Sequence, residues 1–225
     1  MKKSFTMIEL IITIVVMAIA MMTVPLILAQ VMKSEEFSLN QEALLAGATK
    51  IGNVMTYQWD EKNVGELDLK HVLDVAGGDS ELNRWPDANS TLRIGHFEGE
   101  DRRKFFSTIL SASTIGIDDS NETNFPDDID DFNGRTNTLV VNSASDSDYV
   151  KSFTLTTTVK YVSDSADYSQ STVSFDFSTS GAATTTNIKM IEVKITDNLN
   201  NEEIAAFRSF ATNIGGYKLL QRTFN

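Results

Sequence analysis

Residues 1–30 read MKKSFTMIELIITIVVMAIAMMTVPLILAQ, and this stretch constrains the chain more than any other. From Phe5 to Ala29 the apolar run is interrupted only by Thr6, Glu9, Thr13, Thr23 and Pro25. As a helix it would extend about 37 Å, more than the ~30 Å of a bilayer's hydrocarbon core. Lys2 and Lys3 precede it and predict that this end stays cytoplasmic. An ordinary secretory signal fits poorly, because its apolar core is shorter and ends at small residues. Here Gln30-Val31-Met32-Lys33 follows. A carboxylate in such a segment is costly and calls for a partner, and Glu9 is the one acid there.

The helical pattern outlasts the apolar run. Phe37, Leu44 and Ile51 recur every seven residues, Gln41, Ala48 and Met55 form the neighbouring row, and Leu45 and Val54 widen the stripe. Lys33, Glu35, Glu36, Glu42 and Lys50 fall elsewhere. This predicts one amphipathic continuation to about Tyr57 or Trp59, with Pro25 kinking or melting the rod locally.

Beyond it, residues 64–75 are expected as a short helix, and 91–97 and 105–110 as short strands. Residues 116–137 read as an acidic loop. Period-2 alternation then marks strands at Phe153–Tyr161, Val173–Phe177, Ile191–Ile195 and Ile204–Phe210. Turn-rich segments between them predict an antiparallel meander. No βαβ alternation occurs, so the expected class is α+β, a long N-terminal helix packed on an antiparallel sheet.

Several function classes lose support. The formal net charge is −12, which disfavours nucleic acid as a main partner. There is no cysteine, hence no disulfide, thiol nucleophile or Cys-ligated zinc. The two histidines, His71 and His96, lack partners at metal spacing, and no Gly-x-Ser-x-Gly or phosphate-binding glycine loop appears. Arg102-Arg103-Lys104 lies beside Glu98, Glu100 and Asp101 and reads as a neutralised surface turn. Trp59 and Trp85 read as packing residues. The expectation is a non-enzymatic chain.

The N-terminal segment resembles the class III signal of type IV prepilins and type II secretion pseudopilins: a short basic leader, a phenylalanine, and a glutamate four residues on. The resemblance implies cleavage between Ser4 and Phe5 by a prepilin peptidase, N-methylation of Phe5, and pairing of Glu9 with the new amine of a neighbouring subunit. It implies a leader at 1–4, a membrane and filament-core helix at 5–29, an amphipathic continuation at 30–60 and a pilin-like globular domain at 61–225. Ser4 stands where the family usually has glycine, Ala18 where many members have a mid-helix glycine, and Pro25 one residue before the usual proline. The implied role is a structural subunit, a minor pilin or pseudopilin, in a type IV pilus or type II secretion pseudopilus. Its partners would be other pilin subunits, the peptidase and the bacterial inner membrane, with the C-terminal domain periplasmic. The alternative is an anchored binding domain that never polymerises; a metal-dependent hydrolase is a third class.

Residues 118–134 hold Asp118-Asp119 and then Asp127-Asp128-Ile129-Asp130-Asp131-Phe132-Asn133-Gly134. Hard oxygen donors on a loop suit calcium, but the spacing is not that of an EF-hand. A solvated acidic loop is the other reading. Similar Asp-Asp-x-Asp-Asp-aromatic stretches occur in minor pilins of the mannose-sensitive haemagglutinin type, and some pseudopilins hold a structural calcium. The resemblance thus makes Asp127, Asp128, Asp130 and Asp131 the candidate Ca2+ ligands. Asn89 and Asn121 each lie in an Asn-X-Ser/Thr tract and are candidate glycosylation sites.

Overall fold

The computed structural model describes residues 6–65, 70–86, 90–94, 104–116, 124–142 and 150–216. One helix, α1 (Met7–Val54), precedes a four-stranded sheet of β1 (Thr136–Asn142), β2 (Val150–Tyr161), β3 (Ile188–Asp197) and β4 (Glu202–Thr212). The strands lie in chain order, each antiparallel to the next. The layout is α+β, a helix laid on an antiparallel meander.

α1 is 48 residues, about 72 Å at 1.5 Å per residue. Helical structure continues through Pro25, with no break such as local melting would leave. It ends at Val54, short of the expected Tyr57 or Trp59. There it tightens: Thr56 N–H reaches Asn53 O and Tyr57 N–H reaches Val54 O, while the Thr56 hydroxyl also donates to Asn53 O at 2.7 Å. These i→i−3 bonds take up terminal carbonyls that a helix leaves open. The chain can then turn Trp59 and Asp60 into the interior.

The docked face of α1 is the expected one only in part: Leu44, Ile51 and Val54 pack on the core, whereas other residues of the expected stripe do not. Leu39, Ala43, Gly47 and Val54 are buried. Phe37 and Leu45 are 65% and 68% exposed, and Gln41, Ala48 and Met55 also face out. Small residues explain the choice. A Cβ on Gly47 would lie 2.6 Å from Ile195 Cδ1 and 3.0 Å from the Phe207 ring, so Ala43 and Gly47 let the backbone come close to the sheet. A reading based on large apolar residues takes in the exposed Phe37 and Leu45 and misses Ala43 and Gly47.

On the sheet, β2 alternates as expected: Phe153, Leu155, Thr157, Val159 and Tyr161 are buried toward α1. With Val193 and Ile195 of β3 they form the layer beneath the helix. β1 was not expected; its first residues fall at the end of the stretch 116–137 read as acidic loop. Val173–Phe177 forms no strand, although its residues alternate. It lies over the sheet through its rings, with Phe177 4.6 Å from Phe210 and Phe175 6.0 Å from Phe177.

The expected helix at 64–75 is absent from the described part of that stretch. Val72 and Asp74 instead form isolated bridges to Phe105 and Ser111. The Asn213 side chain replaces a neighbouring strand: its Oδ1 accepts from Leu73 N–H at 3.1 Å and its Nδ2 donates to Leu73 O at 2.8 Å. The expected strands at 91–97 and 105–110 reduce to single bridges at Arg93 and Phe105, with 95–97 outside the described residues.

Candidate functional site

Two places carry the candidate residues. In the first, α1 is apolar and exposed on all sides from Met7 to Met32, and it is long and apolar enough to span a membrane. Ser4 and Phe5 lie outside the described residues. Glu9 sits at the third helical position and turns back on the helix start. Its Oε2 lies 3.5 Å from Thr6 N and 3.4 Å from the Thr6 hydroxyl. Thr6-x-x-Glu9 is a capping box, in which the acid takes up an amide that the helix leaves unpaired. That signature is legible in the sequence as Thr6-x-x-Glu9 ahead of the apolar run. The glutamate thus has a local partner, and its carboxylate stays at the helix N-terminus, where the dipole favours negative charge.

The second place is the loop before β1, where a 3₁₀ turn spans Asp130–Phe132. The four candidate aspartates divide. Asp127, Asp128 and Asp131 each bring one oxygen within 4.8 Å of the others. Asp128 Oδ1 accepts from Asp130 N at 2.6 Å and Asp131 N at 3.2 Å, and its Oδ2 from Glu61 N at 2.9 Å. Asp131 Oδ2 accepts from Asp127 N at 2.9 Å. These carboxylates close the turn and tie it to the residues after α1, as short Asp side chains do at turns and caps.

Asp130 faces elsewhere. Its Oδ1 lies 2.6 Å from Lys189 Nζ, and both side chains are inaccessible to solvent. The same ammonium donates to Trp59 O at 2.6 Å, lies 3.5 Å from Asp60 Oδ2, and sits 4.1 Å over the Trp59 ring. Asp60 in turn accepts from Ser113 N and Oγ at 2.8 and 2.6 Å. One lysine therefore joins the chain after α1, the acidic turn and β3. Lys189 lies just before the strand read at Ile191–Ile195, and nothing in its sequence neighbours marks a buried ammonium. Burial pushes the Asp130 carboxyl up to about 8 and Asp128 up to about 6, against the opposing pull of Lys189.

The donors of Asp127, Asp128 and Asp131 are of the hard kind that calcium takes, and these three would hold such an ion. Asp130 is not placed to join them. Asn89 and Asn121 lie outside the described residues, as do His96, Arg102 and Arg103. The His71 ring stacks on Phe106 at 4.2 Å. Trp59 is buried and donates to Ala211 O, whereas Trp85 is 52% exposed and so is not the packing residue expected. No protein-family model matches the chain, and neither a curated protein nor a solved structure matches it.

Proposed function

We propose that this chain is a structural subunit of the prepilin kind, a minor pilin or pseudopilin, anchored in the bacterial inner membrane until it joins a pilus or pseudopilus. The single observation that carries the reading is α1: a 48-residue helix with a bare apolar first half and an acid in its first turn. In a bilayer, lipid covers that surface; in a filament, the same surface of other subunits covers it. Glu9 then moves from its own cap to the amine freed at Phe5 of a neighbour, since two buried opposite charges must pair. The role is assembly rather than catalysis.

The test is the intact mass and N-terminal sequence of the protein from its own cells, with and without the prepilin peptidase. A chain that starts at methylated Phe5 only when the peptidase is present supports the reading. A Met1 or Lys2 start in both strains removes it.

A second reading, an anchored domain that never polymerises, is favoured by the capping of Thr6 by Glu9. Glu9→Gln separates the two. Glutamine can still cap the helix, yet it cannot neutralise an ammonium. The filament reading expects insertion without incorporation into filaments; the anchor reading expects wild-type behaviour throughout.

A calcium ion at Asp127, Asp128 and Asp131 is a separate proposal, supported by the convergence of their oxygens. It expects millimolar calcium to raise the melting temperature of the full chain in detergent. Asp127→Asn, at an exposed side chain, should shrink that rise; equal rises in both proteins would place the ion elsewhere.

A further inference from the structure

The upper half of α1 leaves a groove of about 590 Å³ between itself and β1. Leu45, Ala46 and Thr49 of the helix and Leu139 and Leu155 of the sheet line it, and Glu42 stands at its membrane-proximal rim. β1 is an edge of the sheet, so among the described residues no further strand covers this side. Leu45 is 68% exposed.

An unmatched pair of charges indicates the occupant. Lys33 and Glu42 are both exposed, and neither makes an ion pair among the described residues. They are nine positions apart, about two and a half helical turns. They therefore project from opposite sides of α1 and cannot meet within one chain. Two parallel helices side by side present just such opposite sides to each other. Copies inserted in one membrane are parallel, because the basic end of each stays on the same side.

We infer that the groove receives the Phe37 segment of a second copy, parallel to the first and displaced along the helix by nine residues. This rests on the filament-subunit reading. The displacement is ~13.5 Å, and it sets Lys33 of one copy against Glu42 of the other. Phe37 follows Lys33 by four residues and Ala46 follows Glu42 by four, so each pair shares a face. The register that joins the charges also puts Phe37, 65% exposed in a single chain, over Ala46, beside Leu45. The contact is head-to-tail, so each copy offers an open groove to the next and the array does not close in pairs. One copy must rise out of the bilayer relative to the other, which assigns the contact to the assembled state.

The absence of cysteine makes the test clean. The full chain is expressed in its own cells as Phe37→Cys/Ala46→Cys, and sheared filaments are oxidised. The two sites are too far apart on one helix for an internal disulfide, which needs Cα atoms within about 7 Å. The expected result is a ladder of multimers, at least ten-fold stronger than from Phe37→Cys/Ala48→Cys, whose second site faces away. In the Phe37→Cys/Ala46→Cys background, Lys33→Glu or Glu42→Lys alone should cut the ladder about five-fold, and the exchanged pair should restore it. Equal ladders from the two cysteine pairs, no recovery in the exchanged pair, or adducts with a different protein would each overturn the self-contact. Where the chain is processed at Phe5 and found in filaments but gives no ladder, only the contact fails. Where it is never processed and forms no filament, both readings fail.

Discussion

At residue scale, Lys189 is the side chain on which most depends. It is wholly buried with Asp130 and Asp60 in reach, so its loss leaves both groups without their ammonium in a dry setting. Lys189→Met should cost about 3–5 kcal/mol, the usual penalty for breaking a buried pair from one side, measured by chemical denaturation of the full chain in detergent. The raised carboxyls of Asp130 and Asp128 set a pH dependence. Folded values near 8 and 6 exceed the unfolded value of about 3.9. The native state thus holds extra protons between those limits, and stability falls as pH rises. In calcium-free buffer the melting temperature should drop from pH 5 to pH 8, and Asp130→Asn should flatten the upper part of that slope. A melting temperature that climbs over this range would contradict the burial of Asp130. None of this was legible in the sequence. The local string Asp127 to Asp131 states how much charge is present, while the ammonium that answers it comes from β3.

At element scale, α1 shows what periodicity can and cannot decide. Helix existence and the apolar first half follow from composition and spacing alone, while the helix ends a few residues before the expected Tyr57 or Trp59. The docked face does not follow in full, because Phe37 and Leu45 lie on the outer side while Ala43 and Gly47 make the close approach to the sheet. Gly47 is the decisive position. Gly47→Leu should destabilise by about 1–3 kcal/mol, since the new side chain meets Ile195 and Phe207. Phe37→Ser should leave the same melting curve nearly unchanged. A loss at Phe37 as large as that at Gly47 would restore the face read from the sequence. The strands were legible where alternation was backed by ladder partners, as in β2 and β3. Val173–Phe177 alternates equally well but makes no ladder among the described residues; its rings pack and its backbone stays outside the sheet.

At the scale of the whole molecule, the structure is a rod with a sheet fastened to its upper half. Lys151 makes the lower fastening, with Asp197 at 3.1 Å, Glu36 at 3.6 Å and Asn40 Oδ1 at 3.1 Å. Lys189 makes the upper one. Between them the small-residue face of α1 meets β3 and β4, so the bare lower half projects from a supported domain. That lower half is long and apolar enough to span a membrane. Lys151→Ala should loosen the lower end alone: amide exchange in residues 36–43 and 151–153 should quicken while that around Trp59 stays slow. Uniform acceleration would mean that the two fastenings act as one unit.

The sequence by itself determined the long helix, its capacity to span a membrane, the α+β class and most of the meander. Each of these follows from local spacing of apolar residues, which the chain carries whatever it packs against. Only the tertiary structure decided which side of α1 is buried, that Asp130 leaves the acidic cluster for Lys189, and that an asparagine side chain stands in for a strand. Those depend on groups dozens to more than a hundred residues apart meeting in a dry interior, where close approach and charge neutralisation outweigh local pattern.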